Sequence, residues 1–315
     1  MAASAKLCLK ARPTPTQLAD RLRPVDGVWP EGLELYLAAA DLASGTIVAE
    51  IAERIAKTDV PRDFAWLIEG PVDSLDGADF DITRDSEADT IVVERLADLA
   101  RRIHARAVNI HVISPSPEIS RLSLECRAAL LERALPFLAR FVDLVLAADA
   151  VPTVENMPAV LRMRRSDFAF TPIGMAADDL CWLVERLPGL RVLADTSHAG
   201  LYLNARRLPP DPAYAWSAPL HAYLNELPHE ATATSAVSVV DFLQHLPDVE
   251  NAQVSNARGV LGEGLAYADG DFDLDPAIRW LGAHARHIVT ETIEASNDDA
   301  VLMRDALRRM RMVLA

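Results

Sequence analysis

The residues of this 315-residue chain best placed for chemistry are acidic, and they recur at the same point of successive apolar runs. Glu155 ends VPTVE, Asp195 ends RVLAD and Glu291 follows HIVT. Glu69 ends FAWLIE, and His111 sits in NIHVIS. His198 lies three residues beyond Asp195, and Gln253 sits in VENAQVSN. Two like charges about 4 Å apart repel by roughly 4 kcal/mol at an effective dielectric of 20. Three converging carboxylates must therefore take up protons, which raises their pKa values, or hold a cation between them. A divalent ion removes the repulsion and supplies Lewis acidity. Carboxylates with an amide or imidazole suit a hard or borderline ion such as Mg²⁺, Mn²⁺ or Zn²⁺.

Each residue also has a plainer reading. Glu155 can end a strand in a solvated loop, and Asp195 can cap a helix, since Thr-Ser-His follows it. Glu291 can pair with an arginine beneath a helix, leaving the inward role to Glu294. His111, set among apolar residues, can be a hydrogen-bonded core histidine. Glu34 and Glu69 read as structural or supporting groups. His104, His221, His229, His245, His284 and His287 are read as lying on helices or loops, with no role assigned.

These residues need a scaffold that brings strand ends together. Short apolar runs alternate with amphipathic segments along the whole chain: KLCLKA, GLELYLA, FAWLIEGP, AVNIHVISP, VPTVENMP, LRVLADTSHAG, VENAQVSN and HIVTETIEA. Helices are expected between them, starting near Thr14 and Pro15, in SGTIVAEIAERIAK and in SEADTIVVERLADLARRIHA, where apolar positions recur at three and four. EISRLSLECRAALLERALPFLARFVDLVLAAD is long enough for one bent helix or two. The last helix is expected to be capped by Asn297 or Asp298. Eight such alternations suggest parallel strands, and right-handed crossovers favour closure into one (β/α)₈ TIM barrel covering 1–315. An open doubly wound sheet competes, but no GxGxxG follows the first strand. In a barrel of this kind the strand C-termini and the loops after them form the active site.

Composition narrows the partners. The formal net charge of -15 repels phosphate backbones and anionic lipid, so neither nucleic acid nor membrane is expected. Three separated cysteines, Cys8, Cys126 and Cys181, make a disulfide framework unexpected and a cytoplasmic location the default. The N-terminus lacks an apolar stretch of signal-peptide length. Lysine occurs only at positions 6, 10 and 57, and Lys10 is the single candidate for Schiff-base chemistry.

Taken in order, VPTVENMP, LADTSHAG, VSNARGVLGEG and IVTETIE, with NIHVIS, resemble the xylose isomerase-like superfamily of sugar isomerases, epimerases and apurinic endonucleases. That resemblance implies metal ligation by Glu155, Asp195 and Glu291. Gln253 stands where many members have a histidine, which tilts the ion toward Mn²⁺ or Mg²⁺ and away from Zn²⁺. It also implies that Glu155 and Glu291 move protons, and that His198, Arg258 and His111 meet substrate. RGVLGEG resembles the RGxPGxG loop of ketose epimerases, while Leu161 stands where those enzymes carry a second glutamate. The endonuclease DxH pair is missing.

The function expected on this basis is divalent-metal-dependent isomerisation or epimerisation of a small sugar or hydroxy-carbonyl compound through an enediolate. A lyase or dehydratase, including one that cleaves carbon glycosides, shares that intermediate and is the alternative. A non-catalytic binding subunit or an apurinic endonuclease fits less well. The polar stretch 201–237, long for a βα loop, is expected to cover the site or join subunits of a homo-oligomer.

Overall fold

Eight strands are spaced by the helices between them: β1 (Lys6–Ala11), β2 (Gly32–Tyr36), β3 (Ala65–Glu69), β4 (Ala107–His111), β5 (Val151–Glu155), β6 (Arg191–Asp195), β7 (Val249–Val254) and β8 (His287–Thr290). A computed structural model describes residues 5–227 and 238–315. The strands close in chain order, every pairing parallel, with Lys6 to Leu9 of β1 registered against His287 to Thr290 of β8. That last pairing rules out the open sheet, since a doubly wound sheet leaves two edges.

Strand alternation sorts the barrel interior into a floor and a mouth. Cys8, Leu67, Ala107 and Val289 form a small apolar cluster separate from the main core, with Val151 packed against it. Two residues along each strand, the same face carries Lys10, Glu69, Asn109, Thr153 and Glu291. Gly32 belongs to this floor, because a Cβ there would stand 2.6 Å from the Ala65 carbonyl and 2.7 Å from Cys8 Sγ. The main core fills the layer between strands and helices, drawing on residues from Ala5 to Met310.

Helices α1 (Pro15–Arg21), α2 (Gly45–Ala56) and α3 (Glu87–Ile103) begin at Thr14, Ser44 and Ser86, whose hydroxyls accept the exposed first-turn amides. The long fourth segment is one helix, α4 (Leu124–Leu146), with Pro136 inside it. Next come α5 (Ala177–Arg186), α6 (Thr196–Arg207), α7 (Ser217–Glu226), α8 (Val239–Leu243), α9 (Asp275–His284) and α10 (Val301–Leu314).

Three expectations change. The stretch after β6 is largely helical, since 201–207 continue α6 and 217–226 form α7; its remainder, 228–237, with His229, lies outside the described residues. Neither Asn297 nor Asp298 caps α10. Glu294 does so from upstream, accepting the amides of Leu302 and Met303 at 3.0 and 2.8 Å. His287 lies on a strand, not on a helix or loop. No helix among the described residues is long and apolar enough to cross a membrane.

Candidate active site

At the C-terminal mouth Glu155 closes β5, Asp195 closes β6, and Glu291 sits one residue past β8. Glu155 and Asp195 are 1% exposed. Glu291 faces the opening, with about a quarter of its side chain accessible (27%). Ligand atoms of Glu155, Asp195 and His198 lie within 4.8 Å of one another, and Glu291, which lines the same cavity as Glu155, is near enough for the charges of both acids to act on it.

Local structure fixes each of them. Asn156 exchanges two bonds with the Asp195 backbone, accepting its amide at 2.8 Å and donating to its carbonyl at 3.0 Å. Asp195 is also the N-cap of α6, its Oδ1 accepting the His198 amide at 2.5 Å. The plainer reading of Asp195 as a helix cap therefore holds, and the same residue stands beside Glu155. Glu155 Oε2 accepts from Asn109 Nδ2 at 2.8 Å, and its Oε1 lies 2.8 Å from His198 Nδ1. The other ring nitrogen of His198 meets Glu263 Oε1 at 3.0 Å. His111 stands between Glu69 and Glu155, 3.4 and 3.8 Å from their carboxylate oxygens.

The β1–β3 side of the mouth is built differently. Lys10, under a tenth exposed, places its ammonium against Glu69 and Glu291, with Glu34 Oε2 3.9 Å away. Gln253 reaches across from β7, and its Nε2 donates to Glu34 at 2.7 Å and to Glu69 at 2.6 Å. Its Oε1 is left buried with no hydrogen-bond partner, as is Glu291 Oε2. Glu34 and Glu69, read from the sequence as supporting groups, are thus part of the same charge cluster.

The electrostatics match the crowding. Burial pushes Asp195 up to about 6, reinforced by Glu155 against the opposing pull of His198. Burial pushes Glu34 up to about 8 despite Lys10. Glu291 is held well above the usual carboxylate range by burial and by its acidic neighbours, again against Lys10. Burial opposes charge on His198, but Asp195, Glu155 and Glu263 outweigh it and raise its pKa well above the ordinary value. For Glu69 burial is outweighed in the other direction, by Lys10 and His111, which bring it down to about 2.

Five buried or part-buried carboxylates (Glu34, Glu69, Glu155, Asp195 and Glu291) share one ammonium and at most two imidazolium groups. The crowding shows in the raised pKa values of Glu34, Asp195 and Glu291, and a divalent ion would relieve it in place of protons. With two unpartnered buried oxygens and an all-oxygen donor set from Glu155, Asp195, Glu291 and Gln253, the residues fit a hard divalent ion.

A cavity of about 500 Å³ opens over this cluster, within the range of small-molecule sites. Lys10, Glu69, His111, Glu155, His198 and Glu291 line it. Arg258 does not. Its strand pairs antiparallel with Gly262–Leu265, Gly259 turns the chain at φ +58°, and the exposed guanidinium donates to the Asp269 carbonyl. Glu263 from the same hairpin lines the cavity instead, 3.4 Å from Arg164, which also lines it. No described residue of the stretch 201–227 lines it. Glu263 carried no recognisable signal, since the hairpin twist decides which loop residue turns inward. Lys10 carried one in the scarcity of lysine.

No family profile and no curated protein sequence matches the chain. Among solved structures it is similar to a D-tagatose 3-epimerase-like protein, with a TM-score of 0.63 and 12% identity over 98% of both chains. It is similar also to an L-ribulose 3-epimerase, with a TM-score of 0.60 and 12% identity over 98% of this chain and 94% of that one. A 3-keto-D-glucoside 4-epimerase from E. coli superposes with a TM-score of 0.58 and 13% identity over 98% of this chain and 99% of that one. Identity this low speaks to architecture and not to activity. The closed parallel barrel and these likenesses together give the chain a single (β/α)₈ barrel fold of the kind these epimerases have.

Proposed function

We propose that the chain, acting as one domain, is a divalent-metal-dependent isomerase or epimerase of a small sugar or related hydroxy-carbonyl compound. The observation that carries this reading is the buried cluster of Glu155, Asp195 and His198, with Glu291 lining the same cavity of substrate size as Glu155 and His198. Glu155, Asp195, Glu291 and Gln253 Oε1 would hold the ion. When bound, Mn²⁺ or Mg²⁺ supplies Lewis acidity that polarises a carbonyl and its neighbouring hydroxyl.

The chain's own groups move the proton. Glu155, locked by Asn109 and His198, takes the α-proton from one face, leaving an enediolate. Glu291 returns a proton from the other face. Burial and its acidic neighbours favour the protonated form of Glu291, against the pull of Lys10. His198, fixed at both ring nitrogens, holds positive charge beside Glu155 and steadies negative charge that develops on the substrate. His111 lines the same cavity and orients a hydroxyl.

Leu161, apolar where the ketose epimerases carry a glutamate, lines the cavity and favours one second reading, in which the enediolate expels a β-substituent as in a lyase. The substrate is a small molecule, with nucleic acid disfavoured by the acidic surface. The test is metal analysis of purified protein, followed by NMR of solvent deuterium entering candidate ketoses. Stoichiometric Mn²⁺ or Mg²⁺ with exchange at one carbon adjacent to the carbonyl is the expected result. Full activity after exhaustive chelation would end the proposal, and loss of a β-substituent in place of exchange would select the lyase.

A further inference from the structure

The cation already present among these carboxylates belongs to the chain. Lys10 Nζ pairs with Oε1 of Glu291, a carboxylate assigned above to the metal, and simultaneously with Glu69 Oε2. Behind it lies a second acidic berth, where Glu69 and Glu34 are spanned by the two donor bonds of Gln253 and Glu34 stands 3.9 Å from the ammonium. The Tyr36 ring, 5.5 Å from Nζ, offers a further face to a cation on that side. Glu291 is the most accessible of the three proposed acidic ligands and keeps its Oε2 unpartnered.

We propose that Lys10 is a displaceable resident cation, whose ammonium occupies the Glu291 end of the metal site in the metal-free protein and withdraws to Glu69 and Glu34 when a divalent ion takes Glu291. The inference rests on the metal reading above. Its physical basis is that an ammonium and a dication in contact with one carboxylate repel each other, so both cannot keep Glu291 at full strength. A lysine suits the role because its compact charge rides on a four-carbon stem that rotates freely, unlike the planar fork of arginine. Without metal the ammonium keeps Glu291 from standing as an uncompensated charge, and with metal it remains neutralised at its second berth.

The test is calorimetric titration of chelator-treated, full-length protein with MnCl₂, comparing wild type, Lys10→Met and Glu69→Gln. Lys10→Met should bind Mn²⁺ at least tenfold more tightly, since the competitor is gone. Glu69→Gln should bind it more weakly, because the ammonium then has a poorer place to retreat. Circular dichroism and melting curves establish that each variant is folded. If Lys10→Met does not fold, Glu69→Gln still decides, and Mn²⁺ affinity unchanged there overturns the proposal. Equal or weaker Mn²⁺ binding by folded Lys10→Met overturns it too while leaving the metal site standing. If neither wild type nor Lys10→Met takes up Mn²⁺, the metal reading itself fails and this inference falls with it.

Discussion

The two ends of the barrel treat a buried imidazole in opposite ways. At the mouth His198 and His111 are pushed toward the charged form, since Asp195, Glu155, Glu263 and Glu69 outweigh the cost of burial. At the other end His287, at the start of β8, is brought down to about 4 by burial, with Lys6, Arg106 and Arg286 adding to it. Its Nδ1 meets Asn251 Oδ1 at 2.8 Å, a neutral partner. All three rings are under a tenth exposed, so burial alone cannot explain the contrast. What differs is the sign of the charges at each end. Acids collect where strands finish, and Lys6, Arg106, Arg191 and Arg286 flank or occupy the strand starts.

The largest effects should come from the mouth. Glu155→Gln and Glu291→Gln are each expected to lower deuterium exchange into the substrate by about 10²–10⁴-fold. Thermal stability should hold or rise, because one member of a repelling cluster becomes neutral. Exchange rates and melting curves of the same preparations check both halves. Unchanged exchange in both variants would leave the mouth a structural charge cluster, and the contrast between the ends would have no catalytic meaning.

The opposite end predicts a pH effect without a catalytic one. The folded pKa of His287, about 4, lies below the unfolded value near 6.5. Its contribution is therefore complete above pH 6.5 and disappears as pH falls through 4, and it amounts to roughly 3 kcal/mol. Urea unfolding at pH 7 and pH 4 should show His287→Gln losing less stability on acidification than wild type. An identical loss in both proteins would mean that His287 is not the neutral group described. The smallest effect concerns Glu294, a mouth carboxylate committed to a helix and not to the site. Glu294→Ala should cost about 1 kcal/mol, the worth of a helix cap, with exchange kinetics unaltered. Slowed exchange there would mean that Glu294, which also lines the cavity, serves the site as well as the helix.

Much of this was legible because barrels put chemistry at strand ends. Glu155, Asp195 and Glu291 each close or follow an apolar run, so sequence position alone points them to one place. Lys10 stood out as one of three lysines, although it serves as a counter-ion and not in the amine chemistry its scarcity first brought to mind. Glu34 and Glu69 read as structural or supporting groups, and their partner could not be named from spacing, because Gln253 lies 219 and 184 residues away. The cap of α10 was missed for a related reason. Glu294 reaches forward eight and nine residues, beyond the short spacing at which capping motifs announce themselves. Arg258, taken from a loop motif, is carried by its hairpin to the exposed face, away from the cavity that Glu155 and Glu291 line.

Asp195 leaves one more consequence. The carboxylate that stands beside Glu155 also holds the first turn of α6 through the His198 amide, so the mouth and the outer helix are joined through one side chain. A ligand that draws Asp195 inward must loosen that amide. Occupancy deep in the barrel would then be readable from outside, as faster hydrogen–deuterium exchange of one backbone proton.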